Sequence, residues 1–431
     1  MLKKIVLIFF YYPMLPVIIL YSMLIIKKKE KVLWGPVPMI NYKYWSIALS
    51  KHGYDTETLV SNYYHIHQKD DFSLYYEDVV PKLFSKSRNI SMLLGPMFSF
   101  FYAIRFAKII NISNRGSFLG GTPIWYIEAY LFKLFSIKTV LSGFGSDYYM
   151  YSKIDNASLK HVLLMSYPKN AINENSIGKK VNYWTRHADI ILGSYSVDGI
   201  GRWDCLPVNM VTISDDKIAL KEKKVGAVNN EITIVHSPNH RGFKGTEFIV
   251  KAIDELITDG YEINFILLEN IENIEVLRIL REEADILIEQ IIVGYGLSGI
   301  EGMANGVAVL SNINGSNYRT LRRYSYLNEC PILSTSPETV KENIKLLIEN
   351  RELREELGRL GIDYVRKYHS EKSAQYMYGK IYSQLLNGTD EDLINMFHPL
   401  KSEYVKSNYI KTPLLNNCYI DKKEATLVTY T

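Results

Sequence analysis

The stretch "VGYGLSGIEGMANGVAVL", Val293–Leu310, places five glycines around a single acid, Glu301. Gly294 and Gly296 flank a tyrosine, and the apolar "VAVL" at the end has the composition of a buried strand. We interpret the segment as a glycine-rich turn followed by a helix that begins near Leu297. The unpaired N–H groups and the dipole at such a helix start favour anions, phosphates above all. The stretch therefore predicts a turn–helix–strand unit of an α/β fold, with a ligand at the turn.

The sequence on both sides of this stretch alternates between strand-like and helix-like segments. After the strand-like "EITIVHS" (231–237), residues 246–260 have apolar side chains at helical spacing, and a second strand-like run covers 261–269. "DILIEQIIV" (285–293) is another apolar run, which leads into the glycine-rich turn. A weaker alternation begins at "KVLWG" (31–35). Such alternation is typical of parallel sheets in α/β domains.

Changes in this pattern divide the chain into units. The predicted units are a membrane segment (1–30), a first α/β domain (31–228), a second α/β domain (229–370), a closing helix (371–387) and a tail (388–431). The boundary near 228 lies where the periodic segments give way to the charged "ALKEKKVGAVNN". The tail has little periodicity, so we expect it to be loosely ordered.

The N-terminal unit is strongly apolar. Residues 5–26 carry no charge and are long enough to cross a bilayer, which takes roughly 20 residues. Pro13 and Pro16 interrupt the run, so a kinked or re-entrant segment is a second interpretation. Lysines are more numerous after the run than before it, which favours a cytoplasmic position for the rest of the chain. A cleaved signal peptide and a buried strand with a helix are the remaining alternatives, and no small-residue cleavage site follows the run.

The bulk composition excludes few functions. The chain has 431 residues with 50 basic and 46 acidic side chains, a net charge of +4, so charge balance gives no support to a nucleic-acid partner. The three cysteines, Cys205, Cys330 and Cys418, are far apart and have no metal-ligand spacing. This pattern suits a reducing compartment.

A second loop has the form of an anion site. In "HSPNHRGFKG" (236–245), Arg241 and Lys244 lie between a strand and a helix, among glycines that permit close approach of the backbone. An arginine fork and a lysine point charge would together suit a diphosphate, and a solvated surface loop is the alternative. Glu301 in the first loop is either a carboxylate for sugar hydroxyls or an acid that compensates the helix dipole.

The two loops together resemble a known family. "HRGFKGTEFIVKAIDEL" (240–256) followed by "ADILIEQIIVGYGLSGIEGMANGVAVL" (284–310) is similar to the donor half of a GT-B glycosyltransferase, most similar to glycosyltransferase family 4. The residues that match the family pattern are Gly294, Tyr295, Gly296, Leu297, Glu301, Met303, Ala304, Gly306 and Val309. The resemblance is strong over 229–310 and weak before it.

The resemblance implies a fold, a donor and residue roles. It implies two Rossmann-like domains that face each other across a cleft and bind a nucleotide-sugar there. Glu301 would bind the ribose of the nucleotide, and Lys244 would neutralise the diphosphate as it leaves. The family implies retention of anomeric configuration, and GT-B enzymes generally need no bound metal or other cofactor.

The sequence departs from the family pattern at three positions. Val293 stands where the family has its first glutamate, eight residues before Glu301, so the donor-sugar contact is lost or supplied elsewhere. The candidate substitutes are Gln290, the nearest polar amide, together with Glu289 and Ser298. Asn239 stands at an arginine position, where Arg241 would replace it if the loop turns that side chain inward, and Ala308 stands at a proline position.

The first domain should hold the acceptor and any general base. Asp147, in "LSGFGSDYY", ends a strand at a glycine-rich turn and is our candidate catalytic residue, with a turn-stabilising aspartate as the alternative. "GPVPMIN", Gly35 to Asn41, resembles the loop after the first strand that reaches toward acceptor and diphosphate. His236 ends a strand beside the donor loop, where it is either a ligand contact or a buried structural histidine.

The sequence thus predicts a membrane-anchored, cytoplasm-facing glycosyltransferase of bacterial surface-polysaccharide assembly. Its partners would be a nucleoside-diphosphate sugar, a glycan or lipid-linked acceptor and the membrane. Two alternatives stay open: a nucleotide-sugar epimerase of the same fold, and a non-catalytic protein that binds nucleotide-sugar or another transferase. Donor sugar, linkage and acceptor are set by side-chain geometry that a single sequence does not fix.

Overall fold

The structure is a computed structural model that describes residues 2–64, 68–194, 199–218 and 231–420. The predicted domain boundary at 228 lies outside the described residues. The described chain forms two α/β units, each built on a parallel sheet.

The first unit begins with a long helix and continues through a six-stranded sheet. Its strands are β1 (Lys31–Trp34), β2 (Thr56–Val60), β3 (Leu74–Tyr75), β4 (Ala107–Ile112), β5 (Lys138–Ser142) and β6 (Ile190–Leu192). Its helices are α1 (Leu2–Leu24), α2 (Ile40–Ser50), α3 (Tyr76–Val79), α4 (Lys82–Ser85), α5 (Arg88–Phe106), α6 (Glu128–Leu134), α7 (Ala157–Ser166), α8 (Pro168–Ile172) and α9 (Glu174–His187). The strand order is β3-β2-β1-β4-β5-β6, and every neighbouring pair is parallel.

The second unit has a five-stranded sheet. Its strands are β7 (Ile232–His236), β8 (Ile263–Leu267), β9 (Ile286–Gln290), β10 (Ala308–Ser311) and β11 (Leu333–Ser334). Its helices are α10 (Arg241–Lys244), α11 (Thr246–Thr258), α12 (Asn273–Glu282), α13 (Leu297–Ala304), α14 (Ser316–Tyr324), α15 (Val340–Glu349), α16 (Arg351–Tyr368) and α17 (Glu371–Asn387). The order is β11-β10-β9-β7-β8, again parallel throughout. The predicted fold class, α/β with two Rossmann-like domains, is confirmed.

The glycine-rich stretch folds as its pattern predicts. Gly294 takes a left-handed backbone conformation (φ 71°), and its N–H donates to the carbonyl oxygen of Asn312 at 2.6 Å. α13 begins at Leu297, and β10 follows it as a fully buried strand. Both faces of this interior strand are covered by packed side chains, which accounts for its continuous apolar character.

The closing helix α17 returns to the first unit and packs on α2. The Lys51 ammonium lies 2.6 Å from the Glu371 carboxylate, and the Gln375 amide donates to the carbonyl oxygen of Ala48 at 2.9 Å. Deeper in the contact, the Asn111 amide of β4 donates to the Tyr382 hydroxyl at 2.8 Å. The two domains are therefore joined by a helix as well as by the chain that connects them.

The tail does not match the prediction of loose order. Within 388–420 the chain forms α18 (Glu403–Lys406) and a hairpin of β12 (Leu414–Leu415) and β13 (Cys418–Tyr419). Phe397 and Val405 are buried, and the Phe397 ring packs against Tyr326 at 5.3 Å. These apolar residues are too scattered to give a periodic pattern, so periodicity did not predict that they are packed. Residues 421–431 lie outside the described residues.

The apolar N-terminal segment is one helix, α1, that continues through both prolines. Over Ile5–Leu24 it is long and apolar enough to cross a membrane by length and composition. One side of this helix packs against the first domain, through Tyr11 and Ile18, whose side chains are fully buried.

The contact between α16 and the turn before β10 leaves no room for a side chain. A Cβ on Gly358 would lie 2.2 Å from the carbonyl oxygen of Gly306. We expect Gly358→Ala to lower the free energy of unfolding by about 1–3 kcal/mol, because the helix must move away from the turn. Gly379→Ala in α17 is a matched control, since its Cβ would meet only the His52 ring at 3.9 Å. Denaturant unfolding would show an unchanged or raised midpoint for the control, and equal midpoints for both variants would contradict this packing.

Candidate functional site

The two glycine-containing loops meet at the carboxyl end of the second sheet. α10 follows β7, and the glycine-rich turn follows β9, so both loops lie at the edge where ligands bind in open parallel sheets. The N–H of Ile291 donates to the carbonyl oxygen of Lys244 at 3.2 Å. Gly245 has φ 77° and a Cβ there would lie 2.5 Å from the Ile291 side chain, so the loops touch closely.

Lys244 and Glu289 form a buried ion pair at this junction. The Lys244 ammonium donates to the Glu289 carboxylate, and the side chains are 8% and 0% exposed. The same ammonium lies 3.4 Å from the Ser298 hydroxyl. A buried lysine needs such a partner, because an unpaired charge in the interior is strongly unfavourable.

The Glu289 carboxylate occupies the anion position at the start of α13. It accepts hydrogen bonds from the Ser298 hydroxyl at 3.0 Å, the Gly296 N–H at 3.3 Å and the Ser311 hydroxyl at 3.1 Å. Gly299 faces it, and a Cβ at that position would come within 3.3 Å of the Glu289 side chain. A carboxylate therefore sits where a helix start, a lysine and two hydroxyls converge.

Glu301 lies one turn further along α13 and is also buried. Its carboxylate accepts from the Asn273 amide at 3.2 Å and lies 3.8 Å from the Lys217 ammonium. Lys217 belongs to the first domain's side of the connection, where its ammonium also donates to the Tyr44 hydroxyl of α2 at 3.0 Å. Burial raises the pKa of Glu301, while Lys217 and Asn273 act in the opposite direction. The Glu301 carboxylate is thus contacted by side chains on both sides of the domain boundary.

The first domain packs directly over the Lys244 loop. α7 contacts α10, and Val162 of α7 joins the apolar cluster of the second sheet that includes Ile291. Next to it, the Tyr167 ring meets the His240 ring edge-on at 5.4 Å. This contact closes the cleft on one side and explains why Lys244 is shielded from water.

His236 has the contacts of a buried structural histidine, the alternative that the sequence left open beside a ligand contact. Its Nδ1 lies 2.6 Å from the Ile288 carbonyl oxygen, its Nε2 lies 2.9 Å from the Thr246 hydroxyl, and the side chain has no exposed surface. Burial lowers its pKa to about 4. With both ring nitrogens engaged, this histidine ties β7 to β9 and α11.

Gln290 and Arg241 also point away from the Lys244 junction. The Gln290 amide donates to the carbonyl oxygen of Val293 at 2.6 Å and so stabilises the turn from within. Arg241 is paired on the surface with Glu247 at 2.8 Å and Glu269 at 2.9 Å. The loop does not turn Arg241 inward, so it does not replace the missing arginine.

Asp147 stands at the carboxyl end of β5 and is engaged by the backbone. Its carboxylate accepts from the N–H of Phe144 at 2.8 Å and from the N–H of Asn114 at 3.0 Å. Burial raises its pKa to about 7, against the effect of these hydrogen bonds and of Ser113 and Arg115. The carboxylate joins the loops after β4 and β5, which is the turn-stabilising role left open as the alternative.

Gly35 and Asn41 make packing contacts, and their predicted substrate contacts stay predictions. A Cβ on Gly35 would lie 2.1 Å from the carbonyl oxygen of Leu59, so glycine is required by the close approach of β2. The Asn41 side chain accepts from the N–H of Thr212 at 3.0 Å and anchors the connecting segment on α2.

The structure brings together only part of the predicted set. Lys244, Glu301, Gly294, Gly296, Leu297 and Ser298 lie around the glycine-rich turn. Sequence reasoning missed Lys217, Asn273 and Ser311, and ranked Glu289 below Gln290. One signal was available, because an acid inside the apolar "DILIEQII" has to find a partner when the strand is buried.

Comparisons with known proteins agree with this architecture. The sequence matches no family model and no curated protein. A point mutant of S. aureus TarM, solved in complex with fondaparinux, alpha-GlcNAc-glycerol and UDP, is similar in structure with a TM-score of 0.50 and 8% identity; the match covers 82% of this chain and 99% of TarM.

Two further solved structures are more distantly similar. HepE of Anabaena in complex with UDP-glucose has a TM-score of 0.47 and 11% identity, over 82% of this chain and 99% of HepE. The UDP-GlcNAc 2-epimerase of Neisseria meningitidis bound to UDP-GlcNAc has a TM-score of 0.42 and 12% identity, over 84% of this chain and 100% of the epimerase. The fold of the chain is GT-B, while membership of glycosyltransferase family 4 stays a prediction.

The Lys244–Glu289 pair gives a stability prediction. Glu289→Gln leaves the buried Lys244 ammonium without its counter-ion, so we expect the free energy of unfolding to fall by about 3–5 kcal/mol. Adding Lys244→Met removes the orphaned charge and should restore much of that loss. Denaturant unfolding of the two single variants and the double variant measures the coupling. Additive losses would contradict a direct interaction.

His236 gives a pH prediction. The folded-state pKa of about 4 lies below the ordinary value of 6.5. Between these values the unfolded chain binds a proton that the folded chain does not, so stability falls as the pH is lowered from about 6.5 to about 4. The slope is about 1.4 kcal/mol per pH unit for each such group.

His236→Asn keeps a donor for the Ile288 carbonyl oxygen and removes this titration. Burial also lowers the pKa of His369 to about 4, so we expect a reduced slope in the variant and not a flat profile. Unfolding free energies at pH 7, 6 and 5 measure it. A variant whose profile runs parallel to that of the wild type would show that His236 is protonated in the fold.

Proposed function

We propose that this protein is a glycosyltransferase that uses a nucleotide-sugar donor. The observation that carries the proposal is the junction of Lys244, the start of α13 and Glu301 at one glycine-rich turn. A lysine and a helix start suit a diphosphate, and a buried acid suits ribose hydroxyls. TarM, whose structure contains UDP, supports a uridine nucleotide as the first donor to test.

In this proposal Lys244 acts on the leaving group. The bond between the anomeric carbon and the diphosphate oxygen breaks, a bond from that carbon to an acceptor hydroxyl oxygen forms, and the hydroxyl proton passes to the departing diphosphate. Negative charge grows on the diphosphate during this step, and the Lys244 ammonium stabilises it in a site shielded from water. No metal ion is proposed, because the lysine and the N–H groups of α13 supply positive charge.

Glu289 is the residue that we propose in place of the family's missing acid at Val293. It orients the Lys244 ammonium and the Ser298 hydroxyl, both of which it contacts directly. The Glu289 carboxylate fills the position at the start of α13. A bound diphosphate would therefore share the Lys244 ammonium with Glu289. This makes Glu289 a positioning residue for the lysine.

We propose a lipid-linked saccharide as the acceptor, in bacterial surface-polysaccharide assembly, with retention of anomeric configuration. The apolar α1 is attached to the domain that would hold the acceptor, which supports an acceptor at the membrane. The lysines that follow α1 support a position on the cytoplasmic side of the inner membrane.

The test is nucleoside-diphosphate release from a panel of donors in the presence of a lipid extract. Removal of a charge that acts only in the transition state should lower kcat about 100-fold or more. We expect that loss for the double variant Lys244→Met with Glu289→Gln, in which both charges of the ion pair are removed together. Glu301→Gln should raise KM for the donor about tenfold, through the loss of charged hydrogen bonds. Arg241→Gln is a matched control, because this cation lies on the neighbouring surface and should leave both constants unchanged.

The outcomes separate this proposal from its alternatives. Unchanged kinetics in the Lys244 and Glu301 variants would overturn the donor site. Formation of a free epimer without acceptor would instead identify an epimerase. Nucleotide-sugar binding without turnover on any extract would identify a non-catalytic binding protein.

A further inference from the structure

The helix α1 presents one continuous stripe to the first domain. Its inward-facing residues recur three or four positions apart: Leu7, Tyr11, Met14, Ile18 and Ser22. Ile25, just after the helix, continues the pattern. Tyr11, Ile18 and Ser22 have no exposed surface. The stripe extends over nearly the whole helix, so α1 lies flat against the domain.

Specific contacts fix α1 along α5. The Tyr11 hydroxyl donates to the carbonyl oxygen of Leu93 at 2.6 Å, and further along the Tyr21 and Phe101 rings are 4.3 Å apart. After the end of α1, the N–H of Lys28 donates to the carbonyl oxygen of Arg105 at 2.7 Å. The nearly constant sequence offset of these contacts shows that the two helices run side by side in the same direction.

The other flank of α1 contacts the segment around α6. The Lys27 ammonium, just after α1, lies 4.5 Å from the centre of the Phe135 ring, just after α6. The helix therefore sits in a groove between α5 and the α6 region.

The outward face of α1 is apolar as well. Its exposed side chains include Ile5, Val6, Ile8, Phe9, Val17, Ile19, Leu20, Met23 and Leu24. A helix on the surface of a soluble domain normally turns charged and polar residues to solvent, but residues 5–26 carry no charge at all. Further exposed apolar side chains lie on α4, which contacts α5, and on α6: Leu83, Phe84, Tyr130 and Leu134.

We infer that the outward face of α1 binds the surface of a lipid bilayer with the α1 axis parallel to the membrane. Exposed cations directly after α1 and on α4, α5 and α6 would complement anionic headgroups: Lys28, Lys82, Lys86, Arg88 and Lys133. A spanning orientation would require α1 to leave its groove, which would expose the buried stripe and leave the Tyr11 hydroxyl without its partner. The apolar face enters the lipid while the stripe keeps the domain attached.

This inference concerns attachment and does not depend on the proposed reaction. The following measurements use the full chain and phosphatidylglycerol-containing vesicles, without nucleotide or acceptor. A negative result in these measurements would not bear on the proposed donor site. A negative result in the donor assay would not bear on membrane attachment.

The first measurement is the depth of α1 in the bilayer. Fluorophores are placed singly at Phe9→Cys, Val17→Cys and Leu24→Cys, which lie on the outward face, in a Cys418→Ser background. Lipids with spin labels at shallow and deep positions then quench them. We expect the same shallow depth at all three positions. A deep centre with shallow ends would identify a spanning helix and overturn the inference. An absence of quenching accompanied by dimer formation would show that a second copy covers this face, and would also overturn it.

The second measurement locks the helix in its groove. The neighbouring rings of Tyr21 and Phe101 allow a cross-link between Tyr21→Cys and Phe101→Cys, formed before vesicles are added. We expect the cross-linked protein to bind vesicles as well as its reduced form does. Loss of binding only after cross-linking would show that α1 must detach, and would overturn the inference.

The third measurement places charges on the face. Leu20→Asp and Leu24→Asp alter exposed side chains, so folding should be preserved while vesicle affinity falls about tenfold or more for each. Phe248→Asp on α11 is the matched control, an exposed apolar residue of the other domain whose replacement should have no effect. Equal affinities for all three variants would contradict the inferred surface.

Discussion

The arrangement around the glycine-rich turn depends on one constraint: the buried Lys244 must keep a negative partner. The end of β9 supplies it through Glu289, and the same carboxylate satisfies the Gly296 N–H and the Ser298 and Ser311 hydroxyls. Three elements are thereby fixed around a single ion pair. Desolvation makes the pair costly to break, because either partner left alone would be a buried charge.

A second layer of contacts joins the domains. Glu301 of the second domain reaches Lys217 and, through it, Tyr44 of the first, while α7 covers α10 on another side. α17 supplies a third contact between the domains by packing on α2. The relative position of the domains is therefore set by polar contacts at the cleft and by apolar packing behind it.

The sequence predicted the elements of the fold better than the contacts of the site. Apolar periodicity places α13, β9 and β10, since burial of a stripe or a strand leaves a direct trace in the residue pattern. It does not decide between Glu289 and Gln290, because neighbouring strand residues point to opposite faces and only the tertiary arrangement assigns those faces. Likewise, the position of His236 at a strand end was correct, but its partners Ile288 and Thr246 come from other elements. Lys217 lies outside every motif, so only the folded chain brings it to Glu301.

The ordered tail has a consequence for the solubility of the second domain. β11 forms the outer edge of its sheet, and the N–H of Ser334 donates to the carbonyl oxygen of Asn417 at 2.8 Å. The Asn417 amide also donates to the carbonyl oxygen of Cys330 at 2.8 Å. An uncovered edge strand offers unpaired backbone groups to any neighbouring chain. The last described residues cover this edge and so hinder the addition of a strand from another chain. The shortest form of the domain that stays soluble should therefore extend past the closing helix to include the hairpin.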